Sequence, residues 1–303
     1  MLKDVRDISL FSAIAGADSL SAAARQLGLS LAVVSKRLNQ MEQQLGVRLF
    51  HRTTRHISLT DEGQIFAIHA ARLLDEFDAV ENALSSRKGN VSGTLRITAT
   101  HSLGRRWLMP IVSDFMQQHE SLKLQFNFSD EVIDLAESGF DLAIRFGALN
   151  DSRLVARELA PNRRVLCASP AYAERCGLPQ SFHELAVHTC IGIGESAVVE
   201  WFFGAGEEQQ SIMVNPRYRV NNGEAAHELA LRGAGITLKS LWDVADDLRS
   251  HKLIEVLPHQ PLSAAPLHAI WLNGRHQPLR VRLFVAQLKT ALQSAWHNRV
   301  LSQ

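Results

Sequence analysis

Apolar positions along the first 60 residues fall into short helical stripes. Val5 to Ala15 carries Ile8, Phe11 and Ala15 on one face and stops at Gly16. Ser19 or Ser21 is placed to cap a second short helix that runs through Leu27, and Gly28-Leu29-Ser30 reads as a tight turn. A third helix is predicted from Leu31 to Leu45, capped by Ser30 and ended by Gly46. Val34, Leu38, Met41 and Leu45 line one side of it at spacings of four, three and four. Two short segments, Arg48–Phe50 and His56–Leu59, then flank a basic hairpin tip, Arg52-Thr53-Thr54-Arg55.

From Asp61 to about Arg87 the pattern becomes one long helix capped by Thr60. Phe66, His69, Leu73, Phe77, Val80 and Leu84 form a narrow stripe on it. Such a stripe suits pairing with a second helix, as in a coiled coil; packing on its own domain is the alternative. Arg87 to Gly93 breaks the periodicity and reads as a linker.

Beyond the linker, strand and helix patterns alternate. Leu95, Ile97 and Ala99 alternate with polar residues, as do Leu122, Leu124, Phe126 and Phe128. Further strands are expected at Leu142–Phe146, Val165–Ala168, Gly235–Leu238 and His268–Leu272. Helices are expected at Pro110–His119, Val132–Ser138 and Gly223–Arg232. That alternation predicts parallel βαβ units. The fold class is therefore α/β overall: a winged helix-turn-helix over residues 1–60 (the helix-turn-helix at about 20–39), a linker helix over 61–88, and an α/β regulatory domain over 93–296.

Charge sharpens the division. The whole chain carries a formal +1, but residues 1–60 hold eight Lys and Arg against four acids, a formal +4. The remainder is slightly acidic, which suits a nucleic-acid module attached to another domain. Hydrophobic residues make up 46% and charged residues 21%, enough apolar material for a core. No run approaches the roughly 18 apolar residues of a membrane span. The charged amino terminus lacks the apolar segment of a signal peptide, so a cytoplasmic location with no membrane partner is expected. Cys167, Cys176 and Cys190 match no metal or redox spacing and read as reduced thiols, with a redox pair as the alternative.

The chemistry of the head is that of a DNA reader. A helix-turn-helix braces one helix against a second, whose first residues enter the major groove. Ala22-Ala23-Ala24 allows the close brace and Gly28 the turn. Ala32, Ser35, Lys36 and Asn39 face outward from the reading helix, and Ser30, Leu31 and Arg37 complete the candidate contacts to DNA. Ala32 suits a thymine methyl and Ser35 a base edge, whereas Lys36 and Arg37 suit phosphates. Arg52, Thr53, Thr54 and Arg55 suit the adjacent backbone or minor groove. Arg48 has a second reading as a partner for Glu42.

Taken in order, the string from Ser19 to Gly63 resembles the LysR-type transcriptional regulators. The small-residue brace, Val34-Ser35, Glu42, Leu45-Gly46, Leu49-Phe50, Arg52 and Leu59-Thr60 carry the likeness. It continues through Gly93–Ala99, Phe140–Leu149, Ser152–Gly177 and Asn221–Leu238, where the chain looks like the CrgA-like branch. Three departures stand out. Leu31-Ala32 replaces the Gln-Pro or Gln-Ser of many members, Met41 a leucine, and Lys239 a frequent proline.

The resemblance implies two α/β lobes built like a periplasmic binding protein, with a ligand cleft between them. Open sheets of this class also bind ligands beyond their strand ends. Thr100, His101 and Ser102 follow the first strand, Arg145 and Phe146 end another, Asn221 and Asn222 open a helix, and Lys239 follows a further strand. These are the candidate contacts to a small-molecule effector, a small organic acid. The remaining expectations are double-stranded promoter DNA, a homodimer extended by the resemblance to a homotetramer, RNA polymerase if the protein activates, and neither cofactor nor metal. No catalytic motif for hydrolysis, nucleotide or zinc chemistry is found. A ligand-binding protein or enzyme with an accessory DNA module is the rival reading.

Overall fold

In the computed structural model the stripes of the first three helices close on one another. The structure describes residues 4–17, 19–52, 57–85, 91–131, 133–147, 151–273 and 277–301. They divide into two compact units.

The head contains α1 (Val5–Ala15), α2 (Leu20–Leu27), α3 (Leu31–Leu45), β1 (Phe50–Arg52), β2 (Ile57–Leu59) and α4 (Asp61–Ser85). Ser19 caps α2 through the Ala22 N–H, and Ser30 caps α3 through the Val33 N–H. Gly28, at φ 65°, and Gly46, at φ 74°, end those helices in the left-handed region that glycine enters without a Cβ clash. Ile8, Phe11, Ile14, Val34, Leu38, Met41, Leu49 and Phe50 make the core. Phe11 meets Phe66 of α4 edge-on at 4.6 Å. β1 and β2 pair antiparallel with Phe50 opposite Leu59.

Buried Glu42 holds the wing to α3. Its Oε1 accepts the Leu49 N–H at 2.8 Å and the Phe50 N–H at 3.3 Å. This is the role its place before Leu45-Gly46 serves: a carboxylate that answers backbone donors at the start of a strand.

The body contains β3 (Gly93–Ala99), α5 (His101–Leu103), α6 (Met109–Gln118), β4 (Leu122–Phe128), β5 (Leu142–Phe146), β6 (Leu154–Ala160), β7 (Arg164–Ala168), α8 (Pro170–Cys176), β8 (Cys190–Ile193), β9 (Val199–Phe203), β10 (Gln210–Val214), β11 (Tyr218–Val220), α9 (Gly223–Leu231), β12 (Ile236–Ser240), α10 (Leu241–Arg249), β13 (Ile254–Val256), β14 (Leu267–Leu272) and α11 (Leu279–Ala295); α7 (Leu135–Ser138), between β4 and β5 in the chain, clusters with the first unit. A π-helical segment, Gly104–Leu108, joins α5 to α6.

Two five-stranded sheets organise these elements, in the orders β4-β3-β5-β14-β6 and β11-β8-β12-β7-β13. They are mixed, so the expected parallel pairing holds for only part of each sheet. β3 pairs β5 in parallel and β8 pairs β11 and β12 in parallel. β14 runs antiparallel to both β5 and β6, and β7 antiparallel to both β12 and β13. The chain crosses between lobes twice, after β6 and after β13, and each crossing reverses the sense in which the next strand joins.

The crossings are tied together. Asn162 donates to the Ala265 carbonyl at 2.9 Å and accepts from the Ser240 hydroxyl at 2.7 Å. Trp242 donates its indole N–H to the Pro161 carbonyl at 2.9 Å. No helix among the described residues is long and apolar enough to cross a membrane.

Candidate DNA interface and ligand cleft

The first turn of α3 is presented to solvent. Ser30, Leu31, Ala32, Val33, Lys36 and Asn39 are exposed, whereas Val34 and Leu38 beneath them are fully buried. Leu31 is 47% and Val33 41% exposed, beside the exposed Leu29 of the turn. Ser35 is half-buried. The helix thus offers a small apolar ridge flanked by a cation, a shape suited to thymine methyls and groove walls.

Arg37 has a partner that sequence reading did not foresee. Its Nε donates to Asp7 Oδ1 at 2.9 Å, and Nη2 reaches the same oxygen at 2.5 Å, so the guanidinium ties α3 to α1. Ser30 combines exposure with its capping bond. Thr53, Thr54 and Arg55 lie outside the described residues, and only the backbone of Arg52, at the end of β1, is described.

On α4 the apolar stripe divides. Phe66, Ala70 and Leu74 pack on the head core. Ile65, Leu73, Phe77 and Val80 are 48–60% exposed.

Between the lobes lies a cavity of about 190 Å³. Thr100, Ser102, Phe146 and Lys239, four of the residues expected from sequence, line it. The other four do not. Asn222 caps α9, its Oδ1 accepting the Glu224 and Ala225 N–H groups. Asn221 is exposed before that helix. Arg145 donates to the Ser129 carbonyl and reaches Thr98 Oγ1 at 3.4 Å. Burial holds its pKa below the usual arginine value against the pull of Asp130. His101 turns its ring to Asp130, with Nδ1 3.4 Å from Oδ1.

Lys239 is buried, only 4% exposed. Its ammonium meets Asp243 Oδ2 at 2.8 Å and donates to the Gly223 carbonyl at 2.9 Å. Lys239 is the penultimate residue of β12 and Asp243 lies in the first turn of α10, so the pair links the end of the strand to the start of the helix.

Asp130, Asn162, Arg164, Ser240 and Asp243 line the cavity and were missed in the sequence. Asp130 joins the lobes: Oδ1 accepts the His101 N–H at 3.0 Å and Oδ2 the Gly223 N–H at 2.6 Å. A Cβ on Gly223 would sit 3.2 Å from Lys239 Nζ, so a side chain there would crowd the site. Arg106 and Trp107 add further ties across the lobes, donating to the Asp243 and Trp242 carbonyls at 2.9 and 3.0 Å.

Comparison with known proteins bears on both halves. Residues 5–64 match the model described as "Bacterial regulatory helix-turn-helix protein, lysR family", and residues 88–293 match the LysR substrate binding domain. The HTH-type transcriptional regulator DmlR of Escherichia coli is 34% identical over 97% of this chain and 96% of its own length. The activator TtdR of the same species is 32% identical over 98% of this chain and 95% of its own. The solved structure of CrgA, a LysR-type transcriptional regulator from Neisseria meningitidis, is 31% identical with a TM-score of 0.60, covering 96% of this chain and 99% of that one.

Proposed function

This chain belongs to the LysR family of DNA-binding transcriptional regulators, and from that premise we propose how its parts divide the work. Residues 1–60 read operator DNA. Residues 61–88 pair two chains, and two such dimers form a tetramer. Residues 93–296 hold a small organic acid whose binding sets the arrangement of the DNA-reading heads. When the protein activates, RNA polymerase is the further partner, and the site of action is the cytoplasm. The rival of an enzyme with an accessory DNA module loses its ground, because the family and the relatives are transcriptional regulators.

One observation supports the DNA reading most directly. Leu29, Leu31, Ala32 and Val33 form an exposed apolar ridge at the start of α3, above the buried Val34 and Leu38. The major groove covers such a ridge, with Ala32 on thymine methyls, Ser35 on a base edge, and Asn39 alongside. Lys36 holds phosphate, and Arg52, Thr53, Thr54 and Arg55 meet the adjacent backbone or minor groove. Arg37 works through Asp7, fixing the reading helix against α1, with Nη1 left to reach phosphate.

The organic-acid reading is supported by Arg164, which lines the cavity together with Thr100 and Ser102, the other cation there, Lys239, being already paired with Asp243. A ligand that prefers one lobe arrangement shifts the population toward it.

Footprinting on the DNA upstream of the protein's own gene, with and without a panel of small carboxylic acids, tests both halves. The expected result is a protected operator whose length changes with an acid. Binding should fall steeply with salt and vanish on deletion of residues 1–60. Ser35→Ala should narrow the preference for operator over random DNA, whereas Lys36→Ala should weaken both. Retention of operator binding without residues 1–60 overturns the domain assignment.

A further inference from the structure

Resting on the reading of the cleft as the effector site, we infer that its ligand is a small hydroxycarboxylate. The cavity is small, about 190 Å³, below the roughly 300–1,000 Å³ of sites for drug-sized ligands. Eight of its twelve lining residues are polar or charged, so a compact polar molecule fits better than an aromatic one.

Three groups on its wall have bonding capacity left over. Arg164, at the start of β7, is a half-buried guanidinium with no carboxylate or carbonyl on it among the described residues; burial alone accounts for its lowered pKa. Asp243 is 6% exposed, and while Oδ2 holds Lys239, its Oδ1 is buried with no partner. Thr100 Oγ1 is likewise buried and unpartnered. Buried polar groups in folded proteins find partners, so each marks where a ligand atom belongs.

The missing partners differ in kind. Arg164 calls for a carboxylate, which it matches in a two-bond fork. Asp243 Oδ1 is an acceptor and calls for a donor, which a carboxylate cannot supply. A hydroxyl can. An ammonium would also donate, but the Lys239 ammonium already stands on the same carboxylate at 2.8 Å, and a second cation there is repelled. Thr100 can serve either group, since a hydroxyl both donates and accepts. Asp130 already accepts a backbone N–H on each oxygen, from His101 and Gly223, whereas Asp243 Oδ1 accepts none.

Four probes on one carbon skeleton separate the terms: 2-hydroxybutyrate, butyrate, 2-aminobutyrate and 2-hydroxybutyramide, titrated into the full-length protein with calorimetric and ligand-observed NMR readouts. The hydroxy acid should bind at least about tenfold more tightly than butyrate, the scale of one hydrogen bond to a charged group. It should also outbind the amino acid and the amide. Arg164→Gln should remove the preference for acid over amide, and Arg164→Lys should keep part of it if the glutamine variant folds poorly. Thr100→Val should weaken the hydroxy acid more than butyrate. Equal binding of butyrate and 2-hydroxybutyrate overturns the hydroxyl assignment and leaves the organic-acid reading standing. Tightest binding by 2-aminobutyrate overturns the argument from Lys239. Binding of the amide alone, or of no probe up to 10 mM on the scale of weak ligands, overturns the inference. An acid-dependent footprint in that last case keeps the broader reading intact.

Discussion

Asp130 and Gly223 are joined across the cleft: the carboxylate of one lobe accepts the backbone N–H of the other at 2.6 Å. The second oxygen of Asp130 accepts the His101 N–H, so a single side chain, 10% exposed, links the starts of two helices. Asp130→Ala leaves both donors without their charged acceptor. Hydrogen bonds to charged groups are worth about 1.5–3 kcal/mol each, partly recovered here by water. The expected loss is about 1.5–3 kcal/mol in urea unfolding of the body, with faster amide exchange at His101 and Gly223. Unchanged exchange at Gly223 would show that the link does not hold the lobes.

Glu42 plays the corresponding part in the head. It is 8% exposed and answers two backbone donors of the wing. Glu42→Leu keeps the volume but orphans those N–H groups, each costing about 1–3 kcal/mol. Head stability should fall by about 2 kcal/mol or more, and DNA affinity should fall with it as β1 loses its anchor. An affinity loss without a stability loss would mean that Glu42 acts on DNA directly.

These two carboxylates show how differently the sequence discloses its parts. Glu42 stands inside a run whose order and spacing are distinctive, so its place was legible. The boundaries of α1 and α3 were legible too, because an amphipathic stripe ends at a glycine in each case. Asp130 follows a strand with no periodic partner, and its donors lie 29 and 93 residues away. Arg164 sits in the run Asn162-Arg163-Arg164, where Arg163 pairs with Glu255 and Arg164 faces the cavity. Nothing local separates the two arginines. Strand direction was hidden for a related reason: alternation reports which face of a strand is buried, whereas β14 takes its antiparallel sense from the crossing that delivers it.

The exposed half of the α4 stripe predicts how chains pair. Leu73, Phe77 and Val80 leave roughly half of their surface in solvent at spacings of four and three. Burying the exposed half of each contributes about 0.8–1.5 kcal/mol. Phe77→Glu should shift light-scattering mass at micromolar concentration toward the single chain of 33.6 kDa, with the head still folded by circular dichroism. A variant that keeps its full mass would place the interface elsewhere.

The thiols divide by environment. Burial pushes Cys167 and Cys190 up to about 12, and β12 runs between their strands, so they are neither ionised at neutral pH nor adjacent. Cys176 is exposed at the end of α8. A thiol reagent at pH 7.5 should therefore modify one cysteine in the native protein and all three after unfolding, since the thiolate is the reacting form. Rapid native labelling at Cys167 or Cys190 would contradict this packing.

His227 makes stability depend on pH. It is 5% exposed on α9, with Nε2 2.9 Å from Asp247 Oδ2. Five influences act on the ring. Burial lowers its pKa most, Lys239 on β12 and Arg106 lower it further, and Asp247 and Asp243 on α10 oppose them. Burial and the two cations prevail, so the native pKa lies below the ordinary 6.5. Between the native and the unfolded value, the unfolded chain binds more protons. Stability from this group is therefore complete above about pH 6.5 and is lost as pH falls through that window, ceasing to change below the native pKa. Urea midpoints of the wild type should drop from pH 7 to pH 5 more steeply than those of His227→Gln, which carries no titrating ring. Were the Asp247 contact to prevail, the wild type would instead gain on the variant as pH falls.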